Sequence, residues 1–302
     1  MTTPPVCSYE GSDYQTRFWE QGDRAYEDRV EAIALRRLLP PGGARLLELG
    51  AGAGRNTPRY AGFEHVVLVD YSRSQLEQAQ QRLGAGPRFT FVAADIYRLP
   101  FAPAAFPAAT MIRTLHHMAD PQAALRQVRG SLASGGLFVL EFANKRNLKS
   151  IARWLLRRQA WSPFDSAPVE FAELNFDFHP RAIDEWLQTS GFASERRLTV
   201  SHYRLPLLKR LLPLSVLVGM DSLAQWTGDL WQLTPSVFVR ARAIGADAPS
   251  APGALWRCPA CAALNLRQHL DGVDCLGCRR TWPLRDGIYD FRDPAADTGP
   301  RL

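Results

Sequence analysis

The chain has 302 residues, 46% of them apolar and 22% charged, enough for about two domains with real cores at roughly 100 to 200 residues each. Glycine and proline, 22 each, are too few for a collagenous or wholly disordered chain. The longest uncharged apolar run, between Arg210 and Asp221, is ten residues, against the roughly 20 that a membrane span requires. The net charge of +6 permits an anionic partner without demanding one, and an arginine- and alanine-rich coding bias would give the same balance. The opening MTTPPVCSYEGSDY lacks both a basic start and an apolar stretch, so no signal peptide and a cytoplasmic location are expected.

In chain order, Val30, Ile33, Ala34 and Leu38 fall at helical spacing within residues 13–39, and a Pro-Pro-Gly-Gly run at 40–43 stops that helix. Strand-like and helical segments then alternate: RLLELG, a helix from about Arg55, HVVLVD, a helix from Arg73 to Leu83, RFTFVAAD, AATMIRTL, a helix over 121–132, and GGLFVLEFA, with Gly135 and Gly136 in the turn before it. This rhythm predicts βαβ units, hence an α/β fold with a doubly wound parallel sheet. Residues 144–180 show no strand pattern, and 205–235 form an apolar stretch broken by Pro206, Pro213 and Gly228; both read as cap insertions. A helix over 180–191, a strand in ERRLTVSHYRL and another in PSVFVRARAI complete a seven-stranded sheet. The expected division is an N-terminal helical segment (1–43), a main domain (44–244), a linker (245–254, GADAPSAPGA) and a small second domain (255–293).

The first strand ends in Glu48-Leu49-Gly50-Ala51-Gly52-Ala53-Gly54, where glycines permit positive φ and close approach of a nucleotide-type ligand to the backbone. An ordinary strand-to-helix connection is the plainer alternative. A nicotinamide oxidoreductase would favour G-x-G-x-x-G, but Arg55 holds the third glycine's place. Asp70 closes the second strand, where a carboxylate can accept both hydroxyls of a ribose, and Asp95, followed by Ile96, closes the third.

Together LLELGAGAGRNTP, VVLVDYS, FVAADIYRLPF and MIRTLHHMADP resemble the successive motifs of the class I S-adenosylmethionine-dependent methyltransferases, especially the branch that includes quinone-biosynthesis enzymes. The resemblance covers residues 44–143. It implies a Rossmann-like fold with S-adenosyl-L-methionine as co-substrate. It also implies that Gly50, Ala51 and Gly52 approach the methionine part, that Asp70 holds the ribose, that Tyr71 flanks the adenine and that Asp95 with Ile96 meets its edge. Glu48 and Gly54, at the two ends of the turn, are counted with the cofactor site, and Arg113 lies where the methionine carboxylate or the acceptor would pass.

Methyl transfer from a sulfonium relies on positioning and desolvation, and no catalytic residue is assigned. His116 or His117 could deprotonate an acceptor or simply belong to the strand-to-helix loop. The Asn/Asp-Pro-Pro-Tyr motif of amino-group methylation is replaced by MIRTLH. Residues 144–161 carry six basic residues and no acid: Lys145, Arg146, Lys149, Arg153 and Arg157 could face RNA, an anionic membrane surface could be met instead, or the segment is a solvated lid helix. The apolar run PLLKRLLPLSVLVGM suits packing or a hydrophobic acceptor. A small or lipid-like acceptor is favoured over tRNA or rRNA; a non-catalytic zinc-dependent RNA-binding protein is a further alternative.

Near the C-terminus, Cys258-Pro-Ala-Cys261 and Cys275-Leu-Gly-Cys278 have the spacing of two turns whose thiolates converge on a structural Zn2+; two disulfides are the alternative, and Cys7 stands apart. The run CPAC to CLGCRRTWPLRDGIYDF resembles the zinc ribbon of the small activator proteins that partner tRNA, rRNA and release-factor methyltransferases, with Arg279 where a glycine is more usual.

Overall fold

The computed structural model describes residues 4–12, 24–84, 86–247 and 253–292. Parts of the expected N-terminal helix (13–23) and linker (248–252) lie outside the described residues. Helix α1 (Ala25–Leu38) is followed by β1 (Gly43–Leu49), β2 (Phe63–Asp70), α2 (Arg73–Leu83), β3 (Phe89–Ala93), β4 (Phe106–Met111), α3 (Pro121–Ser131) and β5 (Leu132–Ala143). The chain continues through α4 (Leu148–Leu155), β6 (Val169–Ala172), β7 (Asn175–Asp177), α5 (Pro180–Thr189), β8 (Phe192–Val200), α6 (Pro206–Leu211), α7 (Leu214–Ala224) and β9 (Ser236–Ala243). Four short strands close it: β10 (Leu266–His269), β11 (Gly272–Cys275), β12 (Thr281–Arg285) and β13 (Ile288–Asp290).

The expected seven strands run in the order β3-β2-β1-β4-β5-β9-β8, parallel from β3 to β5, with β9 antiparallel to both its neighbours. Both faces are covered, which is why the strands are apolar throughout rather than alternating. Leu46, Val66 and Leu68 pack in one cluster with Val30 and Leu38 of α1 and Leu76 of α2. Leu47, Leu49, Val67 and Val69 turn to the opposite face, with Leu125 of α3 and Ile183 of α5.

Three local expectations are corrected. The helix expected from Arg55 is only a 3-10 turn, Thr57–Tyr60, because β2 starts at Phe63 and leaves no length for more. Residues 144–180 do contain strands, the β6–β7 hairpin; β6 is largely exposed, so its sequence carries no core-facing alternation. Gly135 (φ +72°) lies within β5, where the chain loops out between the pairs Phe106–Leu132 and Ala108–Leu137.

The C-terminal strands extend the sheet to eleven. β13 pairs in parallel with β3, Ile288 opposite Phe91 and Asp290 opposite Ala93. Trp256, Trp282 and Phe291 join the same apolar cluster as the main sheet, with Trp256 stacked on Phe101 at 5.9 Å. The cysteine-bearing segment therefore covers the open edge at β3, an edge that would otherwise offer unpaired backbone groups.

Candidate functional site

A cleft of about 970 Å³, its open mouth included, lies beyond the carboxyl ends of β1, β2 and β4, the position where open α/β sheets bind ligands. Gly50, Ala51, Gly52, Asp70, Tyr71 and Ile96 line it together with Arg113, Thr114, His117 and Met118. Gly50 has φ +64°, and a Cβ there would lie 2.1 Å from Thr114 Oγ1, so glycine is required by both conformation and space. The Gly52 amide donates to Asp70 Oδ2 at 2.8 Å and the Ser72 amide to Oδ1 at 2.9 Å. Burial raises the Asp70 pKa, and the carboxylate keeps two further lone-pair sites toward the cleft.

Three of the expected residues stand behind this wall. Gly54 faces α2, where a Cβ would meet Leu83 at 3.0 Å and Ala79 at 3.2 Å. Glu48 is buried under the glycine turn and accepts from Thr57 Oγ1 at 2.6 Å; burial pushes its carboxyl up to about 7. Asp95 caps the turn Ile96–Arg98 by accepting from the Tyr97 amide at 2.8 Å, and borders a small recess shared with Trp282 and Phe291.

Arg113, at φ +59°, lines the cleft while its Nε donates to Glu31 Oε1 at 2.8 Å. Arg55 binds the other Glu31 oxygen at 2.8 Å. Burial by itself would raise the Glu31 carboxyl, but the two guanidiniums hold it at about 2. This triad ties α1, the glycine turn and the loop after β4 together. Sequence reading missed Glu31, although its place four residues before Leu35 and seven before Leu38 puts it on the buried stripe of α1.

Residues 4–12, expected within an N-terminal helical segment (1–43), carry no helix and form a strap over the cleft. Val6 bridges to Met118, and Glu10 accepts from the Arg73 and Ser74 amides at 2.8 and 3.0 Å, a carboxylate on the amino end of α2 where the helix dipole favours it. Cys7 and Tyr9 line the cleft from above; burial and then the Asp70 charge push the Cys7 thiol up to about 11, which favours its protonated form. His117 Nδ1 lies 3.2 Å from the Leu174 carbonyl and must donate to it, leaving Nε2 to accept from the Tyr9 hydroxyl at 3.2 Å. Burial lowers His117 to about 4 and His116 well below its ordinary value. Both imidazoles are neutral, and His117 acts here as a fixed acceptor.

A family model described as "Methyltransferase domain" matches residues 47–140. A demethylmenaquinone methyltransferase of Clavibacter sepedonicus is 30% identical over 189 residues, covering 57% of this chain and 76% of that one. The chain is a class I S-adenosylmethionine-dependent methyltransferase. An O-methyltransferase of Penicillium expansum is 32% identical over 152 residues, 46% of this methyltransferase and 54% of that enzyme. Among solved structures, an S-adenosylmethionine-dependent methyltransferase from Mesorhizobium loti shares the fold at TM-score 0.52 and 22% identity, over 72% of this chain and all of that one. The Burkholderia thailandensis 1,6-didemethyltoxoflavin-N1-methyltransferase, with S-adenosylhomocysteine bound, does so at 0.51 and 19%, over 77% and 84%. No helix among the described residues of the methyltransferase is long and apolar enough to cross a membrane.

The methyltransferase's four paired cysteines converge, their sulfurs all within 4.8 Å of one another. Cys258 Sγ is 3.7 Å from Cys278 Sγ, and Cys261 Sγ is 3.5 Å from Cys275 Sγ. These separations exceed a disulfide bond of about 2.05 Å and match the roughly 3.8 Å edge of a tetrahedron with 2.3 Å metal–sulfur bonds. The two turns are alike: the Ala262 amide donates to the Cys258 carbonyl at 2.8 Å, and the Arg279 amide to the Cys275 carbonyl at 2.9 Å. Ala262 and Arg279 have φ +59° and +61°, which is the conformation a glycine at this place supplies without strain.

Proposed function

We propose that this methyltransferase acts on a small or lipid-like acceptor admitted at the Arg113–His117 end of the cleft. The observation that carries the reading is the partly covered cleft itself: Cys7 and Tyr9 of the strap and His117, held by the Leu174 carbonyl, line a pocket suited to a compact molecule. Relatives named for demethylmenaquinone, 27-O-demethylrifamycin SV and 1,6-didemethyltoxoflavin all act on such compounds by name. Gly50, Ala51 and Gly52 hold the methionine part of the donor, Asp70 the ribose, and Tyr71 and Ile96 the adenine. Asp95, Glu48 and Gly54 support these groups from behind, and Arg113 holds the wall beside the methionine carboxylate. The acceptor's nucleophilic atom bonds to the methyl carbon as the carbon–sulfur pair returns to sulfur, neutralising the sulfonium; exclusion of water and in-line alignment supply the rate.

The four converging cysteine sulfurs are read as a structural Zn2+ site held by Cys258, Cys261, Cys275 and Cys278, and residues 255–293 as a zinc ribbon fused to the catalytic domain at 44–244. An RNA acceptor finds less support, since Lys145, counted above with a basic face, is buried and donates to the Ala167 carbonyl at 2.7 Å. The test is transfer of label from methyl-labelled S-adenosylmethionine into extracts of cells lacking the gene. Label in an organic-soluble or small-metabolite fraction supports the reading, and label confined to RNA or protein defeats it.

A further inference from the structure

The first insertion ends one way in a hairpin whose Leu174 carbonyl meets His117 and the other way in α4, whose apolar side is turned to solvent. Asn147 caps α4, its side chain accepting from the Ser150 amide at 3.0 Å, and the helix rests on the molecule through buried Ser150. Leu148, Ala152 and Leu155, at i, i+4 and i+7, form one stripe, and Leu148 and Leu155 are 63% and 66% exposed. Trp154 and Leu156 are exposed beside them. The Leu148 amide donates to the Leu233 carbonyl at 2.9 Å, which brings the exposed Leu230 and Trp231 of the second insertion to the same end of the helix.

Cations flank this stripe. Lys149 and Arg153 lie on the adjoining side of α4, and Arg157 and Arg158 follow at its end, all exposed. The helix closes with Arg158 donating to the Arg153 carbonyl at 2.7 Å and Arg157 to that of Trp154 at 2.9 Å, a Schellman ending that puts Arg157, rather than glycine, at φ +54°. No acid occurs between residues 144 and 161.

We infer that α4 docks the enzyme on the surface of an anionic lipid bilayer, lying in the interface with Leu148, Leu155 and Leu156 among the acyl chains and the four cations among the headgroups. An apolar stripe bordered by cations on a short, exposed helix is the pattern that interfacial binding rewards, through both buried apolar area and attraction to anionic lipid. RNA would use the cations and leave the leucines in water. A second copy of the chain packed on the same patch by a two-fold axis would bring the cations of each copy against those of the other. The docking goes beyond the acceptor reading, and either can fail without the other.

The test is co-sedimentation of the full chain with vesicles of phosphatidylcholine alone and of an equimolar mixture with phosphatidylglycerol. Binding to the mixed vesicles at physiological salt is expected, with the double variant Leu148→Gln, Leu155→Gln weakening it about tenfold or more. The triple variant Lys149→Gln, Arg153→Gln, Arg157→Gln should abolish the preference for mixed over neutral vesicles. Because all five side chains are exposed, these variants should retain the wild-type circular dichroism and unfolding midpoint. No binding to mixed vesicles at low salt would overturn the inference, as would binding indifferent to the leucine pair. Capture of a single-stranded RNA oligonucleotide without vesicle binding, or a dimer abolished by the leucine pair without vesicle binding, would overturn it equally.

Discussion

Arg113 lines the cleft beyond the sheet with its guanidinium anchored on the buried carboxylate of Glu31, a residue 82 positions earlier in the chain. Because Arg55 holds the other oxygen of that carboxylate, one buried charge fixes two walls of the cleft. Glu31→Gln should therefore remove the buried charge that the two guanidiniums share, although Arg55 keeps its ion pair with Asp28 at 2.5 Å, and cost about 3 kcal/mol of stability, read by urea unfolding.

The same carboxylate sets a pH dependence. Its folded pKa of about 2 lies below the ordinary 4.5, so its stabilisation is fully present above pH 4.5 and is lost as the pH falls toward 2. The wild type should lose stability through that window, and the Glu31→Gln variant should lose less over the same interval. Equal slopes for the two proteins would show that the triad carries no such linkage.

Asp70→Ala removes the acceptor of the Gly52 and Ser72 amides together with the proposed ribose contact. Each hydrogen bond to a charged group is worth about 1.5 to 3 kcal/mol, so titration should show S-adenosylmethionine binding weakened by roughly 10- to 150-fold for one such bond. Unchanged affinity would remove Asp70 from the cofactor site.

Gly50→Ala places a methyl group 2.1 Å from Thr114 Oγ1 at a backbone φ of +64°. Strain and overpacking together should cost at least about 2 kcal/mol, with loss of cofactor binding. Adding Thr114→Ala should rescue this only in part, since the Thr114 Cβ would still lie 2.7 Å away.

Zinc analysis of the purified protein should give one ion per chain, and Cys258→Ser or Cys275→Ser should release it. Since Cys258, Cys275 and Trp256 share the apolar cluster of the main sheet, metal loss should lower the unfolding midpoint of the whole chain rather than melt the tail alone. A metal-free tail with two disulfides would refute the zinc reading.

The features legible in the sequence were those whose reason is local. Gly50 and Gly52 are demanded by the φ of their own residues, the apolar runs of β1 and β2 by a strand covered on both faces, and the cysteine pairs by a turn that closes within five residues. Asp70 reaches the cleft because it ends a strand. The tertiary structure alone decided what lies opposite these groups: Glu31 under Arg113, the strap of residues 4–12 above Asp70, β13 along β3, and Asp95 turned toward Trp282 and Phe291 rather than into the cleft. Each of these joins segments dozens to hundreds of residues apart, and no periodicity or spacing encodes which distant surfaces meet. That choice is made by the burial available once the sheet has formed, and so Leu148 and Leu155, helical by local pattern, were left facing water only when the rest of the chain had packed without them.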